Sequence, residues 1–436
     1  MSETVIIQPA RHVAGSLRLP GDKSISHRYA MLSGITGGCS RLENYATGAD
    51  CASTLECMGA LGCTVTREPA GAAESRARSV EIEGNGSALR APAAPLDCGN
   101  SGSTIRMLSG ILAGQDFACE LVGDASLSRR PMARIMHPLR AMGAEIAGEN
   151  DRPPLRLRGG RLRAIDYAMP VASAQVKTCV MFAALYAEGE TFVTEPLRTR
   201  DHGELALRAF GAHVEAAGPN RWSIRGGQKL RPIDALIPGD ISTSAFFLCA
   251  AALFPESNLV FDNLLLNPTR AALFDVLRTL GLRIAVLNVE ERNGELAGAI
   301  QARHGGLGGI SISGAMSAAL IDELPVLAAI APFSRDGIEI RDARELRVKE
   351  SDRIAAVAAN LRAMGAEVDE REDGLRVPGQ QRLHGAELQS FDDHRIAMAF
   401  AIAALRAEGE SRISGAEAAR ISFPEFYSTL ETVVER

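Results

Sequence analysis

Six stretches of the chain are apolar on nearly every helical face, and each opens with polar residues. They run over residues 24–35, 101–113, 173–187, 240–253, 322–332 and 393–405. A helix that is apolar all round must be buried on all sides, so the pattern predicts six core helices. Most lead through Gly or Pro into a short run such as residues 191–193 or 337–340, which predicts a strand after the helix.

A second series lies between the first. The phrase LRAMGAEI at residues 139–146 returns as LRAFGAHV (207–214), LRTLGLRI (277–284) and LRAMGAEV (361–368), with a looser copy, MGALGCTV, at 58–65. The shared glycine sits at 62, 143, 211, 281 and 365, giving spacings of 81, 68, 70 and 84. This is a helix C-terminus: a last apolar turn with a basic residue, Gly for a left-handed turn, then a strand. A period of this size marks a repeated α/β unit. The expected picture is six units averaging about 73 residues. Each has one buried helix and, in at least five units, an amphipathic one, which suggests two domains of three units.

The polar starts of the buried helices carry Lys23 and Arg28; Asn100, Gly102 and Arg106; Ser173, Gln175 and Lys177; Asp240 and Ser242; Asp322 and Glu323; Asp393, His394 and Arg395. Helix N-termini present free N–H groups and a partial positive charge, which suits anions. If equivalent ends of two domains face each other, six N-termini surround one cleft, four of them with Arg or Lys. Ser, Thr, Asp and Asn at these positions also serve as ordinary N-caps, and Asp240 and Ser242 are read that way. The functional reading gains weight where a buried basic residue accompanies the cap.

Composition narrows the classes. With 436 residues, 46% hydrophobic and 23% charged, the chain has ample material for a buried core. Its formal charge of −6 gives no global reason to bind nucleic acid or an anionic membrane, so any anion binding needs a local cluster. The longest apolar runs, at 245–254 and 396–405, are too short to cross a bilayer, and the N-terminus lacks signal-peptide character. Eight cysteines show no paired or zinc-type spacing. They read as small buried hydrophobes of a cytoplasmic protein.

Several motifs carry possible chemistry. LPGDKS (19–24) fails as a nucleotide P-loop because Asp22 separates Gly21 from Lys23. DCGNSGSTIR (97–106) is a small polar loop whose amides can approach an anion because Gly102 has no side chain. GDASLSRRP (123–131) either places two arginines just before a proline that starts a helix, or is a solvated basic turn. LRVKESDR (346–353) is either a mixed-charge surface loop or a helix entry where Lys349, Glu350 and Arg353 share a pocket. Asp322, Glu323, Asp392, Asp393 and His394 invite a metal reading, but Arg395 adjoins them and no regular calcium or zinc spacing appears.

Taken in order, LPGDKSISHR (19–28), GNSGSTIR (99–106), GDASLSRRPM (123–132), SAQVK (173–177), TRDH (199–202), LRVKESDRI (346–354) and DHRIAM (393–398) resemble the motifs of the 5-enolpyruvylshikimate-3-phosphate synthase family. SAQVK is similar to its second class. The resemblance covers nearly the whole chain. It implies an α/β fold, the two-domain inside-out α/β barrel of enolpyruvyl transferases, each domain with three βαβαββ repeats. Residues 1–20 with 239–436 would form one domain and 21–238 the other, with the active site in the cleft between them.

The activity implied is transfer of the enolpyruvyl group of phosphoenolpyruvate to the 5-hydroxyl of shikimate 3-phosphate, without metal or organic cofactor. A cytoplasmic monomer acting on these two small molecules is expected, with no nucleic-acid or membrane partner. By motif, Lys23, Ser24, Arg28, Ser173, Ala174, Gln175, Arg200, Asp322 and Lys349 would bind shikimate 3-phosphate. Phosphoenolpyruvate would meet Lys23, Asn100, Gly102, Arg130, Gln175, Arg353 and Arg395. Lys23, Asp322 and Glu350 would be catalytic: Asp322 as base on the attacking hydroxyl, Glu350 as acid toward the methylene carbon. Gly102 would leave room for the phosphonate of glyphosate.

The chain departs from the family pattern at three places: Ile421 where many members have Lys, Glu345 in place of an Asn, and His27 in place of an Asn. The nearest rival is the sister transferase acting on UDP-N-acetylglucosamine. Its mobile loop carries a cysteine, and the corresponding residues 123–134 have none. The other rival is a non-catalytic binding protein of the same fold, against which stand Lys23, Asp322, Glu350 and the arginines.

Overall fold

The five repeated glycines all adopt the left-handed backbone that the phrase requires, with φ of 97°, 114°, 88°, 106° and 91° at Gly62, Gly143, Gly211, Gly281 and Gly365 in the computed structural model. The structure describes residues 3–67 and 79–436. After each glycine the next amide turns back onto the carbonyl five residues earlier: Cys63 to Met58 (3.1 Å), Ala144 to Leu139 (3.0 Å), Ala212 to Leu207 (2.8 Å), Leu282 to Leu277 (2.9 Å) and Ala366 to Leu361 (2.9 Å). These are Schellman closures, which satisfy helix-end carbonyls and bury the residue after the glycine.

The arginine of the phrase has its own task. Arg140, Arg208 and Arg362 each donate to the carbonyl six residues ahead, on Ile146, Val214 and Val368. The repeat therefore encodes a complete helix stop and the entry of the next strand.

The strands assemble into one recurring sheet. Leu96–Asp97 pairs parallel with Ala118–Val122, which is antiparallel to Leu155–Arg158, which is antiparallel to Glu145–Ala147. The same order recurs in Asp166–Ala168, Glu190–Thr194, Arg221–Arg225 and Val214–Gly218. It recurs again in Ile310–Ile312, Ile338–Ile340, Gly374–Val377 and Asp369–Arg371.

Two modules exchange their first strands. Gly37–Glu43, which follows the helix Lys23–Gly34, takes its parallel partner from Asp234–Leu236. Asn258–Leu265, which follows the helix Ile241–Leu253, takes its partner from His12–Arg18. The sixth module joins Glu387–Gln389 and Ser411–Ser414 with Thr4–Ile7 from the start of the chain.

Two compact units result. One comprises Met1–Leu19, Pro238–Glu290 and Leu296–Arg436; the other comprises Pro20–Ile237 with Glu291–Glu295. In the second unit Gly102–Ala113 packs on Ala174–Ala184 and Lys23–Gly34, and in the first Leu324–Ile330 packs on His394–Ala404 and Ile241–Leu253. The six predicted buried helices are present, and every residue of Ile241–Leu253 and His394–Ala404 is buried. Phe246, Phe247, Phe423 and Phe426 cluster in the first unit, where much of the small aromatic content is spent.

The cysteine reading needs correction. Six of the eight are buried, but Cys39 is exposed on a strand that alternates in and out, and Cys119 is half-buried.

Gly110 and Gly59 make opposite predictions. A Cβ at Gly110 would lie 2.1 Å from the carbonyl oxygen of Cys179 on the facing helix, whereas one at Gly59 meets nothing within 4 Å. Gly110→Ala is expected to destabilise by about 1–3 kcal/mol through forced helix separation. Gly59→Ala, on the exposed face of Ala49–Ala60, should stabilise by about 0.5–1 kcal/mol. Urea denaturation of the two variants checks the contrast.

Candidate active site

Lys23 is the first residue of its helix, whose N-cap Asp22 accepts from the Ile25 amide at 2.9 Å. Its ammonium lies 2.9 Å from Asp50, a mostly buried carboxylate in the first turn of Ala49–Ala60. Asp50 fixes a cation that stands at a helix start, and the sequence reading did not name it. Spacing gave no signal, because a first-turn Asp reads simply as dipole complement.

The next helix opens on Gly102, capped by the hydroxyl of Ser101 accepting from the Thr104 amide at 3.0 Å. A Cβ at Gly102 would sit 2.8 Å from Arg106 Nη1 and 3.2 Å from Arg130 Nη1. Two guanidinium groups thus crowd one bare helix start, a local concentration of positive charge that the net charge concealed. Arg130 donates to Asn100 Oδ1 at 2.9 Å, and Asn100 donates to Asp124 at 2.7 Å. Arg106 donates to Gln175 Oε1 at 2.8 Å, and the Gln175 amide donates to Ser103 at 2.9 Å. Arg106 and Ser103 therefore orient one candidate residue, Gln175, from both ends of its amide.

Ser173 caps the helix Ala174–Ala184. Arg28, almost wholly buried, donates to the carbonyls of Ser24 (2.8 Å) and Ala174 (3.4 Å) and to the hydroxyl of Thr178 (2.9 Å). Burial pushes its pKa down to about 10, offset by the charges of Glu204 and Asp22 and reinforced by that of Arg200. Arg28 thus joins Ser24 to Ala174, while Arg200 stands in the irregular segment before the helix His202–Ala209. Lys177 departs from the expected cationic set: it turns inward and pairs with Glu195 at 2.8 Å and Glu204 at 2.6 Å.

In the other unit, Arg353 begins the helix Arg353–Ala363 and is 1% exposed. Its guanidinium contacts Asp393 at 2.8 Å, Glu350 at 2.6 Å and Asp322 at 3.7 Å. Burial works against its charge, but these three carboxylates outweigh that and hold it above the ordinary arginine range. Arg395 donates to the Asp322 carbonyl at 2.8 Å and lies 4.0 Å from its carboxylate. Asp322, Glu350, Arg353 and Arg395 are therefore one cluster.

Two readings change here. Lys349 does not join Glu350; it pairs with Glu345 at 3.1 Å, four residues back. Of the acidic residues weighed as metal ligands, Asp393 serves Arg353 and caps its own helix through the Arg395 amide at 2.9 Å, and Glu323 pairs with Arg270 at 3.2 Å. Ser242 is not a cap but bonds Glu323 and Arg270, whereas Asp240 does cap, accepting from Thr243 at 2.9 Å.

His27 ends a buried hydroxyl chain. Its Nδ1 is 2.7 Å from Thr54, which is 2.7 Å from Thr104, whose hydroxyl donates to Ser101 at 2.7 Å. Each hydroxyl has one proton, so Thr54 donates to Thr104 and the Nδ1–H donates to Thr54. The ring is neutral: burial, then the charges of Lys23 and Arg28, hold its pKa well below the usual histidine value. The chain ties the Lys23 helix to the cap of the Gly102 helix.

Comparison with known proteins adds a consistent picture. A family model described as EPSP synthase (3-phosphoshikimate 1-carboxyvinyltransferase) matches residues 7–430. The chain is 61% identical over 434 residues to a 3-phosphoshikimate 1-carboxyvinyltransferase of Koribacter versatilis, with 100% of each covered. It is 55% identical over 431 residues to the protein of that name from Solibacter usitatus, covering 98% of this chain and 99% of the relative. The solved EPSP synthase of Acinetobacter baumannii superposes with a TM-score of 0.87 at 38% identity, covering 100% of this chain and 98% of that one. The enolpyruvyl transferase NikO of Streptomyces tendae, at 19% identity and TM-score 0.79 over 99% and 98% of the two chains, shares the fold.

A neutral buried histidine has a pH signature. Because its folded pKa lies below the unfolded value of 6.5, the unfolded chain binds the extra proton first. Its contribution is intact above 6.5 and is lost as pH falls toward the depressed folded value. His27→Asn should therefore flatten the fall in denaturation free energy between about pH 7 and pH 5. Urea titrations at the two ends of that window compare the variant with the wild type.

Proposed function

The chain belongs to the EPSP synthase (3-phosphoshikimate 1-carboxyvinyltransferase) family, and from that membership we propose how its own side chains divide the work. The enzyme transfers the carboxyvinyl group of phosphoenolpyruvate to the 5-hydroxyl of shikimate 3-phosphate and releases phosphate. This is a step of the shikimate pathway to chorismate and the aromatic amino acids. Both substrates carry a carboxylate and a phosphate, so the site must neutralise several charges while moving two protons.

The observation that carries the reading is the cluster of Arg353 and Arg395 with Asp322 and Glu350. It supplies cations for an anionic substrate and carboxylates for proton transfer in one place. In this reading Arg353, Arg395, Arg130, Lys23 and the loop 100–102 take phosphoenolpyruvate, with Gln175 beside it. Lys23, Ser24, Arg28, Ser173, Ala174, Gln175, Arg200, Asp322 and Lys349 take shikimate 3-phosphate.

Asp322 accepts the proton of the attacking hydroxyl, and Glu350 delivers a proton to the methylene carbon. The hydroxyl oxygen bonds to C2 in the resulting tetrahedral intermediate, which then expels phosphate as the new methyl group returns a proton to a carboxylate and the carbon–carbon double bond re-forms. An anion seated on Arg353 competes with Glu350 for the guanidinium, and the charge it brings favours the carboxylic acid at the moment a proton is needed. A monomer working in the cytoplasm completes the reading; eight free cysteines suit a reducing compartment.

Phosphate release from phosphoenolpyruvate is expected only when shikimate 3-phosphate is present, with no metal added. Release with UDP-N-acetylglucosamine instead would reassign the acceptor. Glu350→Gln should lower kcat by about 10²–10⁴-fold, the usual worth of general acid catalysis. Gly102→Ala should raise KM for phosphoenolpyruvate and weaken inhibition by the phosphonate glyphosate, because its Cβ displaces Arg106 and Arg130. Steady-state kinetics with and without inhibitor reads both.

A further inference from the structure

Lys177, Glu195 and Glu204 form a wholly buried triad with side-chain exposures of 1%, 0% and 0%. None of the three holds a role in the chemistry above. Burial also raises the pKa of Glu204, against the pull of Lys177. Such a group is expensive to bury and contributes little net stability compared with apolar packing, so its retention calls for a positional explanation.

The connections supply one. One oxygen of Glu195 meets Lys177 at 2.8 Å. The other accepts both the backbone N–H of Thr199, at 3.1 Å, and the Thr199 hydroxyl. Thr199 immediately precedes Arg200, in the irregular segment between the strand Glu190–Thr194 and the helix His202–Ala209. On the other side of Arg200, His202 Nδ1 lies 2.7 Å from Glu295, both buried. The half-exposed Arg200 is thus carried on backbone tied to a buried acid at each end.

Lys177 also sets the distance to the other candidate ligands of the phosphate. Its amide bonds the Ser173 carbonyl at 3.0 Å, so it stands one turn beyond Ser173 and Ala174 on the same helix. We propose that Glu195 and Thr199 are positioning residues for Arg200, fixing it relative to Ser173 and Ala174 through Lys177. The proposal rests on the reading of Arg200 as a ligand of shikimate 3-phosphate. Its chemistry is ordinary: a bidentate acid spanning a buried ammonium and a loop hydroxyl holds a cation where a phosphate must be met from two sides.

Thr199→Val removes the hydroxyl while leaving the ion triad and the Thr199 amide bond in place. It is expected to raise KM for shikimate 3-phosphate about tenfold, with kcat and KM for phosphoenolpyruvate within about twofold of wild type. Thr199→Ser, which keeps the hydroxyl, should restore the wild-type value. Arg200→Ala should also raise that KM, and adding Thr199→Val to it should then cost nothing further. An unchanged Arg200→Ala would overturn the assignment of Arg200 and the relay with it. A weakened Arg200→Ala beside an unaltered Thr199→Val, or additive effects in the double variant, would overturn the relay alone. A loss of melting temperature with no selective change in that KM would likewise reduce the triad to a structural role.

Discussion

An arginine or lysine side chain taken out of water must find a carboxylate or several good acceptors, and this requirement decides where the cations at the helix starts stand. Lys23 is held by Asp50, Lys177 by Glu195 and Glu204, and Arg353 by Asp393, Glu350 and Asp322. Each cation belongs to the first turn of a helix. At such a place charge, free amides and burial meet, and a misplaced partner would leave an ion stranded in the core. The carboxylates are as much a part of these clusters as the cations.

The fold makes those helix starts possible by repetition. A Schellman closure releases each amphipathic helix into a strand, and a parallel strand pair then straddles a buried helix in four of the six modules. The remaining two modules trade first strands, His12–Arg18 for Asp234–Leu236, and the chain changes unit at 19–20 and again at 237–238, with a short further excursion at Glu291–Glu295. Neither the Lys23 helix nor the Ile241–Leu253 helix then lies between two strands that pair with each other. The exchange binds the two ends of the chain into one topology without altering the module.

What could be read in advance follows the range of the physics. The glycines at 62, 143, 211, 281 and 365 are local: a left-handed turn and its carbonyl lie within one phrase, so the sequence pattern and the φ angles agree. Glu350 and Arg353, three residues apart at a helix entry, were legible for the same reason. Asp50 and Asp393 were not, because they reach Lys23 and Arg353 across 27 and 40 residues and look like ordinary first-turn and cap acids. Lys177 misled for the converse reason. Its neighbours in sequence are candidate ligands, while its charge answers to Glu195 and Glu204 on other elements. The strand exchange was invisible from local pattern, since both partners of each pair look like any other short strand.

The buried cations also differ in how ready they are for a ligand. All of Arg28's hydrogen-bond acceptors are neutral: two carbonyls and a hydroxyl. Its pKa is lowered chiefly by burial, which the charges of Glu204 and Asp22 only partly offset. An incoming anion there improves the balance without displacing anything. Arg353 is the opposite case: three carboxylates already surround it, and its pKa is raised accordingly. An anion on Arg353 must share it with Glu350 and Asp322, the groups argued to move protons. The net charge of −6 is therefore compatible with two polyanionic substrates. The acids around Arg353 keep it charged in a buried place, so a local group of cations can persist in a protein whose overall charge is negative.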